Sequence, residues 1–247
     1  MKYLLANWKM FTTVPEALTL FTEIQEGLQE RVSQERAVPT PIICPPFLSL
    51  VDIRAIADHG LLRLGAQNCH WESDGPHTGE ISPRMLKDVA DYVLIGHSER
   101  RAAGETDDQI SRKVAAAAEA GLVPVLFVGE DEQTEEAVFE TERRLKEGLS
   151  RLDVRRHNFL IVYEPTWCIG ADRPAEADHV AEVAGHIKSR LVQMGVEKPE
   201  VIYGGTVTEN NVERFAALEA LDGVGATRAS LDASKFLDMA DRVAGVA

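Results

Sequence analysis

Short apolar runs alternate with longer amphipathic segments along the whole chain, and this alternation constrains the fold more than any other feature. The runs predict eight strands, at residues 3–7, 41–44, 62–66, 92–96, 124–128, 159–163, 201–203 and 223–226. Polar residues do not alternate with the apolar ones, as is typical of strands buried on both faces. Strands separated by helices indicate parallel pairing through βαβ crossovers.

The amphipathic segments between the strands have the periodicity of helices. The clearest predicted helices are residues 15–32, 106–120, 132–151 and 175–194. In the last segment the apolar residues recur mostly three or four positions apart, as at Ala177, Val180, Ala184, Ile187 and Leu191. This spacing places them along one face of a helix.

Eight strand–helix units in 247 residues match the size of a (β/α)8 barrel, the TIM-barrel architecture. No linker and no shift in composition divides the chain, so we predict one α/β domain over residues 1–247. The alternative is a doubly wound open sheet, which usually has fewer units. The GxGxxG pattern found in many such sheets does not follow the first strand.

Charge and composition exclude several classes of partner. The net charge of −14 argues against binding to nucleic acids or anionic membranes. No run approaches the roughly 18 apolar residues of a membrane span, and the N-terminal segment is too short and polar for a signal peptide. Cys44, Cys69 and Cys168 have no CxxC spacing, which favours a reducing compartment. We therefore expect a cytoplasmic protein.

A group of possible metal ligands lies near the third predicted strand. It consists of Cys69, His70 and His77, and its spacing matches no standard metal site. We therefore expect no metal ion.

Polar side chains follow several predicted strands, which is where barrels of this kind build their active sites. Asn7 and Lys9 lie at the end of the first strand. His97 follows the fourth strand and Glu164 follows the sixth. We expect apolar neighbours to raise the pKa of Glu164, so that it acts as a base near neutral pH. His97 would then donate a hydrogen bond to a substrate oxygen, and Lys9 would stabilise negative charge.

Small residues and hydroxyls follow the last two predicted strands. Gly205 and Thr206 come after the seventh strand, and Thr227 and Arg228 after the eighth. Backbone N–H groups in these loops, together with that of Gly170, are suited to hold a phosphate group.

Each of these residues has a structural interpretation when it is taken alone. Glu164 could form half of an ion pair, His97 could be a buried structural histidine, and Lys9 could be a charged residue on the surface. Their shared position at the strand ends favours the functional interpretation. Residues 98–101 we interpret as ion-pairing groups that fix His97 and a subunit contact. Strands two and five end without an obvious chemical group, although Glu130 lies just after the fifth.

Six motifs spread along the chain closely resemble the triosephosphate isomerase family, and they occur in the family's order. They are ANWKM at 6–10, GAQN at 65–68, TGEISPRMLKD at 78–88, LIGHSERR at 94–101, YEPTWCIG at 163–170 and YGGTVTENN at 203–211. The resemblance implies a (β/α)8 barrel that isomerises a phosphorylated ketose or aldose without a cofactor. It also implies a place in glycolysis and gluconeogenesis.

The resemblance implies particular roles for the catalytic residues. Glu164 would move a proton between adjacent carbons, and His97 would be the neutral electrophile, as is known for this family. Lys9 and Asn7 would bind and polarise the substrate, and Glu99 would be a further site residue.

The resemblance also implies three accessory groups of residues. The phosphate would be bound by Gly170, Gly205, Thr206, Thr227 and Arg228. A lid over residues 165–175 would include Pro165, Thr166, Trp167, Arg173, Pro174 and Ala175, and would exclude water from the reaction. The family works as a homodimer, with a loop that here contains Thr78, Gly79 and Glu80.

The chain departs from the family in the lid and in the last loop. Residues 171–174 read ADRP instead of TGKT, and Thr227 and Arg228 replace two glycines. The proton-transfer residues are unchanged, so three hypotheses follow. The first is a triosephosphate isomerase, and the second is a tetrulose-phosphate isomerase acting on a substrate such as L-erythrulose 1-phosphate. The third is a silent sugar-phosphate-binding regulator.

Overall fold

The computed structural model describes residues 2–134, 136–169 and 174–246. Within them, parallel strands pair in chain order and close into a barrel. The strands are β1 Tyr3–Asn7, β2 Thr40–Cys44, β3 Arg63–Ala66, β4 Tyr92–Ile95, β5 Val123–Val128, β6 Leu160–Tyr163, β7 Val201–Tyr203 and β8 Gly223–Ala226. The predicted (β/α)8 barrel is confirmed, and each predicted strand agrees with an observed one to within one residue at either end.

Closure of the barrel is visible in the pairing of its first strand. Tyr3 in β1 lies opposite Thr40 in β2 on one side and Gly223 in β8 on the other. A side chain at residue 223 would collide with β1, because a Cβ there would lie 2.4 Å from the backbone oxygen of Tyr3. Glycine therefore allows the last strand to approach the first.

Helices pack around the outside of the barrel. They are α1 Val14–Ser33, α2 Phe47–Ile56, α3 Pro83–Leu86, α4 Ser98–Ala102, α5 Asp107–Glu119, α6 Ala137–Leu149, α7 Ala177–Gln193, α8 Val212–Ala216 and α9 Ala233–Gly245. Short 3₁₀ turns cover Thr166–Cys168 and Arg228–Leu231.

Three of the four clearly predicted helices agree with the structure to within two residues at each end. In α5, the start of the helix can be recognised in the sequence from its capping residues. Its N-cap Thr106 and Gln109 form a reciprocal capping box, with bonds of 3.3 and 3.0 Å. The helix predicted at 132–151 begins later, at Ala137. Asp131 does not lead directly into the helix because its carboxylate forms an ion pair with Arg144 and accepts the Thr166 hydroxyl.

Apolar side chains fill the barrel on both sides of its strands. The inner layer packs residues from alternate strand positions into one cluster: Leu5, Ile42, Cys44, Leu94, Val125, Phe127, Leu160, Val162 and Ile202. A second, larger cluster joins the outer strand faces to the helices. Because the interior is packed, open space for a ligand lies at the ends of the strands rather than through the barrel.

In the part of the chain that the structure describes, no helix is both long and apolar enough to cross a membrane.

Candidate active site

A cavity of about 600 Å³ opens at the carboxyl ends of the strands. Leu5, Phe127 and Val162 contribute apolar side chains to its lining. The sequence-predicted residues that line it are Asn7, Lys9, His97, Glu99, Glu164, Gly205, Thr206, Thr227 and Arg228. Two other predicted residues, Gly170 and Arg173, lie outside the described residues. The cavity brings together groups that are more than 200 positions apart in sequence.

Glu164 is the first residue after β6, and it is almost fully buried at 4 % exposure. Its Oε1 lies 3.2 Å from His97 Nε2, and its Oε2 accepts a hydrogen bond from the Ser98 N–H at 2.9 Å. Burial raises the pKa of Glu164 to about 7, although the Ser98 hydrogen bond opposes the shift. Glu164 therefore titrates near neutral pH and is suited to accept and return a proton.

His97 enters the cavity through a tight turn after β4. Gly96, in the left-handed region with φ of 76°, turns the chain, and His97 becomes the N-cap of α4. His97 Nδ1 accepts a hydrogen bond from the Glu99 N–H at 3.2 Å, so the proton of the neutral ring is on Nε2. Burial, together with the charge of Lys9, lowers the pKa of His97. The neutral ring thus points its N–H toward Glu164.

Lys9 has an unusual backbone conformation for a residue with a side chain. Its φ is 53°, a left-handed conformation that costs about 1–3 kcal/mol outside glycine. Asn7 holds this turn, because its Oδ1 accepts the Lys9 N–H at 2.9 Å. The buried ring of Trp8 separates the two residues. The turn brings Lys9 Nζ within 2.6 Å of Glu99 Oε1, at the wall of the cavity.

The charged segment after His97 holds the surrounding backbone. Arg101 Nε donates to the carbonyl of Gly96 at 3.0 Å, and its Nη1 lies 2.6 Å from Asp107. Arg101 thus holds the backbone next to His97, and the subunit contact predicted for residues 98–101 stays a prediction. Glu99 differs from its neighbours because it contacts Lys9 and lines the cavity.

The near end of the predicted lid is held by a residue that none of the sequence motifs singles out as functional. Glu130, in the loop after β5, is fully buried. Its Oε1 accepts hydrogen bonds from Trp167 Nε1 at 2.9 Å and Tyr163 OH at 2.8 Å. Its backbone oxygen accepts the Thr166 N–H at 2.9 Å. In the sequence, the one sign of this contact is that the carboxylate of Glu130 lies just after the end of β5.

Gly129 explains how the loop after β5 approaches the base so closely. A Cβ at this position would lie 2.1 Å from the backbone oxygen of Glu164. No side chain fits there, so glycine permits the backbone of the β5 loop to pack against the backbone of Glu164.

The predicted lid is also held by the last residue of β7 and by the loop that follows it. Tyr203 OH accepts the Ala175 N–H at 3.3 Å. Thr206 Oγ1 donates to the carbonyl of Cys168 at 2.7 Å, so its hydroxyl is bonded to the lid in this structure. Gly205 fits beside Tyr203 because a Cβ there would lie 2.1 Å from the phenol oxygen.

The loop after β8 presents a positive charge at the other side of the cavity. Ser230 Oγ donates to the carbonyl of Ala226 at 3.3 Å, which helps hold the turn that carries Arg228. The Arg228 side chain is exposed and lines the cavity. Among the described residues, none forms a hydrogen bond or ion pair with its guanidinium group. Nearby Lys235 lies 3.8 Å from Glu209.

The predicted dimer loop is a separate surface feature. Thr78, Gly79 and Glu80 are exposed. Gly79 has a φ of +90°, and the Glu80 N–H donates to the His77 carbonyl at 3.0 Å. His77 stacks on His70, with ring centroids 4.3 Å apart. Over the described ranges, no cluster of three or more His, Cys, Asp or Glu side chains is arranged to hold a metal ion.

Comparisons with known proteins agree in both sequence and structure. The family model described as triosephosphate isomerase matches residues 2–243. A triosephosphate isomerase of Trichodesmium erythraeum is 41 % identical over 234 residues, which cover 93 % of this chain and 94 % of the relative. One from Dehalococcoides mccartyi strain CBDB1 is 38 % identical over 248 residues, covering 96 % and 94 %. A crystal structure of triosephosphate isomerase from Bartonella henselae superposes with a TM-score of 0.86 at 31 % identity, covering 98 % of each chain.

Proposed function

Since this chain belongs to the triosephosphate isomerase family, we propose that it interconverts dihydroxyacetone phosphate and D-glyceraldehyde 3-phosphate. The observation that carries this proposal is the pairing of Glu164 with His97 at 3.2 Å. Burial raises the pKa of the carboxyl to about 7 and lowers the pKa of the imidazole. One group is therefore a base at neutral pH while the other is an uncharged hydrogen-bond donor.

The proposed reaction is a proton transfer between two adjacent carbons. Glu164 removes a proton from C1 of the ketose, and the electrons of that C–H bond form an enediolate. His97 donates its Nε2–H to the substrate oxygens as charge develops on them. Lys9 contributes a fixed positive charge at the same oxygens. Glu164 then returns the proton to C2, and the hydroxyl proton of O1 passes to O2, so that the aldose forms without any redox partner.

The lid excludes water while the enediolate exists. We assign this role to residues 165–175, which begin directly after the base. Bonds from Glu130 and Tyr203 hold the two ends of this segment. In the described structure Glu164 Oε2 bonds to Ser98 N–H. Loss of this bond would favour the protonated carboxyl, since the hydrogen bond lowers the pKa of Glu164.

The phosphate group is assigned to the side of the cavity formed by the loops after β7 and β8. Gly205 and Thr206 lie on one wall, and Thr227 and Arg228 on the other. Gly170 would complete this group from the lid. The Arg228 guanidinium can bind two phosphate oxygens at once, which compensates for the loss of flexible glycine backbone in this loop.

We further propose that the protein is a cytoplasmic homodimer. Large apolar side chains are exposed after the first three strands, at Met10, Leu48 and Met85. Together with the exposed loop at Thr78–Glu80 they offer an apolar surface to a second copy. Sedimentation of the wild type and of Gly79→Glu tests this proposal. A wild type that sediments as a monomer at micromolar concentration contradicts it.

The function is tested by measuring kcat/KM for dihydroxyacetone phosphate and for L-erythrulose 1-phosphate. We expect turnover of the triose phosphate to exceed that of the tetrulose phosphate by orders of magnitude. The opposite preference would replace the proposal with a tetrulose-phosphate isomerase. Binding of both compounds without turnover of either would leave only a sugar-phosphate-binding protein.

A further inference from the structure

Outside the catalytic centre, the buried carboxylate of Glu130 joins several parts of the chain. Its Oε1 accepts from Tyr163 OH at 2.8 Å, Trp167 Nε1 at 2.9 Å and His179 Nε2 at 3.1 Å. Its Oε2 accepts from Thr141 Oγ1 at 3.0 Å. Three donors thus share one oxygen, and they come from β6, from the near end of the lid and from α7.

His179 lies in the first turn of α7, a few residues beyond the far end of the lid. Its side chain is mostly buried, at 19 % exposure. The Tyr163 hydroxyl uses its proton to bind Glu130, so the phenol oxygen accepts a bond from His179 Nε2 at 3.0 Å. Burial raises the pKa of Tyr163, which keeps this proton in place. Nε2–H of His179 is therefore a donor to both Tyr163 and Glu130.

We propose that His179 is a positioning residue for the lid. Its Nε2–H holds the Glu130 carboxylate at the place where Oε1 accepts the Trp167 indole N–H. The proposal rests on the assignment of residues 165–175 as a lid. Glu130 thus connects α7, the helix that follows the lid, to Trp167 near the start of the lid.

The hydrogen bond from His179 matters because the Glu130 carboxylate can change its orientation when a donor is lost. Without His179, Thr141 still holds Oε2 and Tyr163 still donates to Oε1. No donor from α7 would then resist a shift of Oε1 away from Trp167 Nε1. Trp167 is near the base, three residues beyond Glu164, so a displaced indole alters both the lid and its closure.

The test compares His179→Leu, which removes the donor, with His179→Gln, which keeps an N–H near the same place. His186→Leu is the matched control. His186 is in the same helix and also bonds a glutamate, with Nε2 2.6 Å from Glu142 Oε2, but Glu142 is not bonded to the lid in the described structure. Tryptophan fluorescence is recorded at pH 8, where imidazole is generally neutral. A Trp167→Phe variant separates the Trp167 emission from that of Trp8 and Trp71.

We expect His179→Leu to shift the Trp167 emission and to lower kcat/KM about threefold to tenfold, the effect of one lost hydrogen bond. His179→Gln should recover most of both values, and His186→Leu should leave both unchanged. A Trp167 spectrum in His179→Leu that matches the control would overturn the proposal.

If His179→Leu does not fold, His179→Asn replaces it, because its shorter side chain does not reach Glu130. Equal Trp167 emission in the Asn and Gln variants would then overturn the proposal, and a shift in Asn alone would support it. Fluorescence requires no turnover. A wild type without isomerase activity would therefore contradict the proposed function and leave the result on His179 to stand by itself.

Discussion

The two sides of the cavity differ in how tightly their groups are held. On the proposed proton-transfer side, His97 and Glu164 are at least nine-tenths buried and are held by backbone N–H groups. On the proposed phosphate side, Arg228 is exposed and forms no hydrogen bond or ion pair with the described residues. The resemblance described above also implies that the first side keeps the family's residues, whereas Thr227 and Arg228 on the second side replace two glycines.

This difference follows from the physics of the two tasks. Proton transfer requires a heavy-atom distance near 3 Å and a pKa set by burial, so small changes in geometry are costly. A phosphate dianion is attracted by any well-placed positive charge, and a guanidinium group can replace backbone N–H groups. Substitutions on the catalytic side should therefore reduce kcat, and those on the phosphate side should raise KM.

The largest expected effect comes from moving the base. Glu164→Asp shortens the side chain by one methylene and withdraws the carboxylate from the substrate carbon. We expect kcat to fall about 10³-fold with little change in KM, within the usual range for a lost general base. Steady-state kinetics with dihydroxyacetone phosphate measure this. Glu219→Asp, at an exposed position before β8, is the control. Wild-type turnover by Glu164→Asp would show that Glu164 is not the base.

The pH profile tests the same side without a mutation. The base must be ionised, and the pKa of Glu164 is raised to about 7, so activity is lost as pH falls through that value. We expect kcat/KM at pH 5 to be about 100-fold below its plateau, since each unit below the pKa costs tenfold. D-glyceraldehyde is the better substrate for this measurement, because a substrate phosphate also titrates near pH 6. A flat profile from pH 5 to 8 would contradict the raised pKa.

On the proposed phosphate side, Arg228→Gln removes the charge and keeps a polar, though shorter, side chain. We expect KM for dihydroxyacetone phosphate to rise about tenfold to a hundredfold, the effect of losing hydrogen bonds to a charged group. Weaker inhibition by inorganic phosphate should accompany it, with no change for unphosphorylated glyceraldehyde. Arg156→Gln, exposed at the opposite end of the barrel, controls for net charge. Equal losses with both substrates would show that Arg228 does not act on the phosphate.

The smallest expected effect on kcat/KM comes from Thr206, which joins the loop after β7 to the predicted lid. Thr206→Val removes the hydroxyl that donates to the Cys168 carbonyl at 2.7 Å. We expect kcat/KM to fall about threefold to tenfold, as for one neutral hydrogen bond. Thr206→Ser keeps the hydroxyl and should retain the wild-type value. Identical kinetics of the Val and Ser variants would mean that this bond does not contribute to the lid.

Much of the barrel was predictable because its signals are local. The strands are continuous apolar runs, and the limits of α5 follow from Thr106 and its capping box. The start of α6 was not predictable in the same way. Residues before Ala137 have helical composition, but Asp131 is bound by Arg144 and Thr166, and such tertiary contacts override local preference.

For the candidate site, the sequence determined which chemical groups stand at the strand ends, and the parallel barrel placed them on one face. Only the tertiary structure decided how these groups are oriented. The proton position on His97 depends on the Glu99 N–H, and the left-handed turn at Lys9 depends on the Asn7 side chain.

The sequence placed Glu130 just after a strand but did not show that several donors converge on it, because they come from residues 141, 163, 167 and 179. Residue types and strand periodicity are properties of short segments of sequence, so the sequence determined the barrel and its reactive groups. The pKa of Glu164 and the anchoring of the lid depend on burial and on contacts between distant loops. Those quantities exist only once the chain is folded.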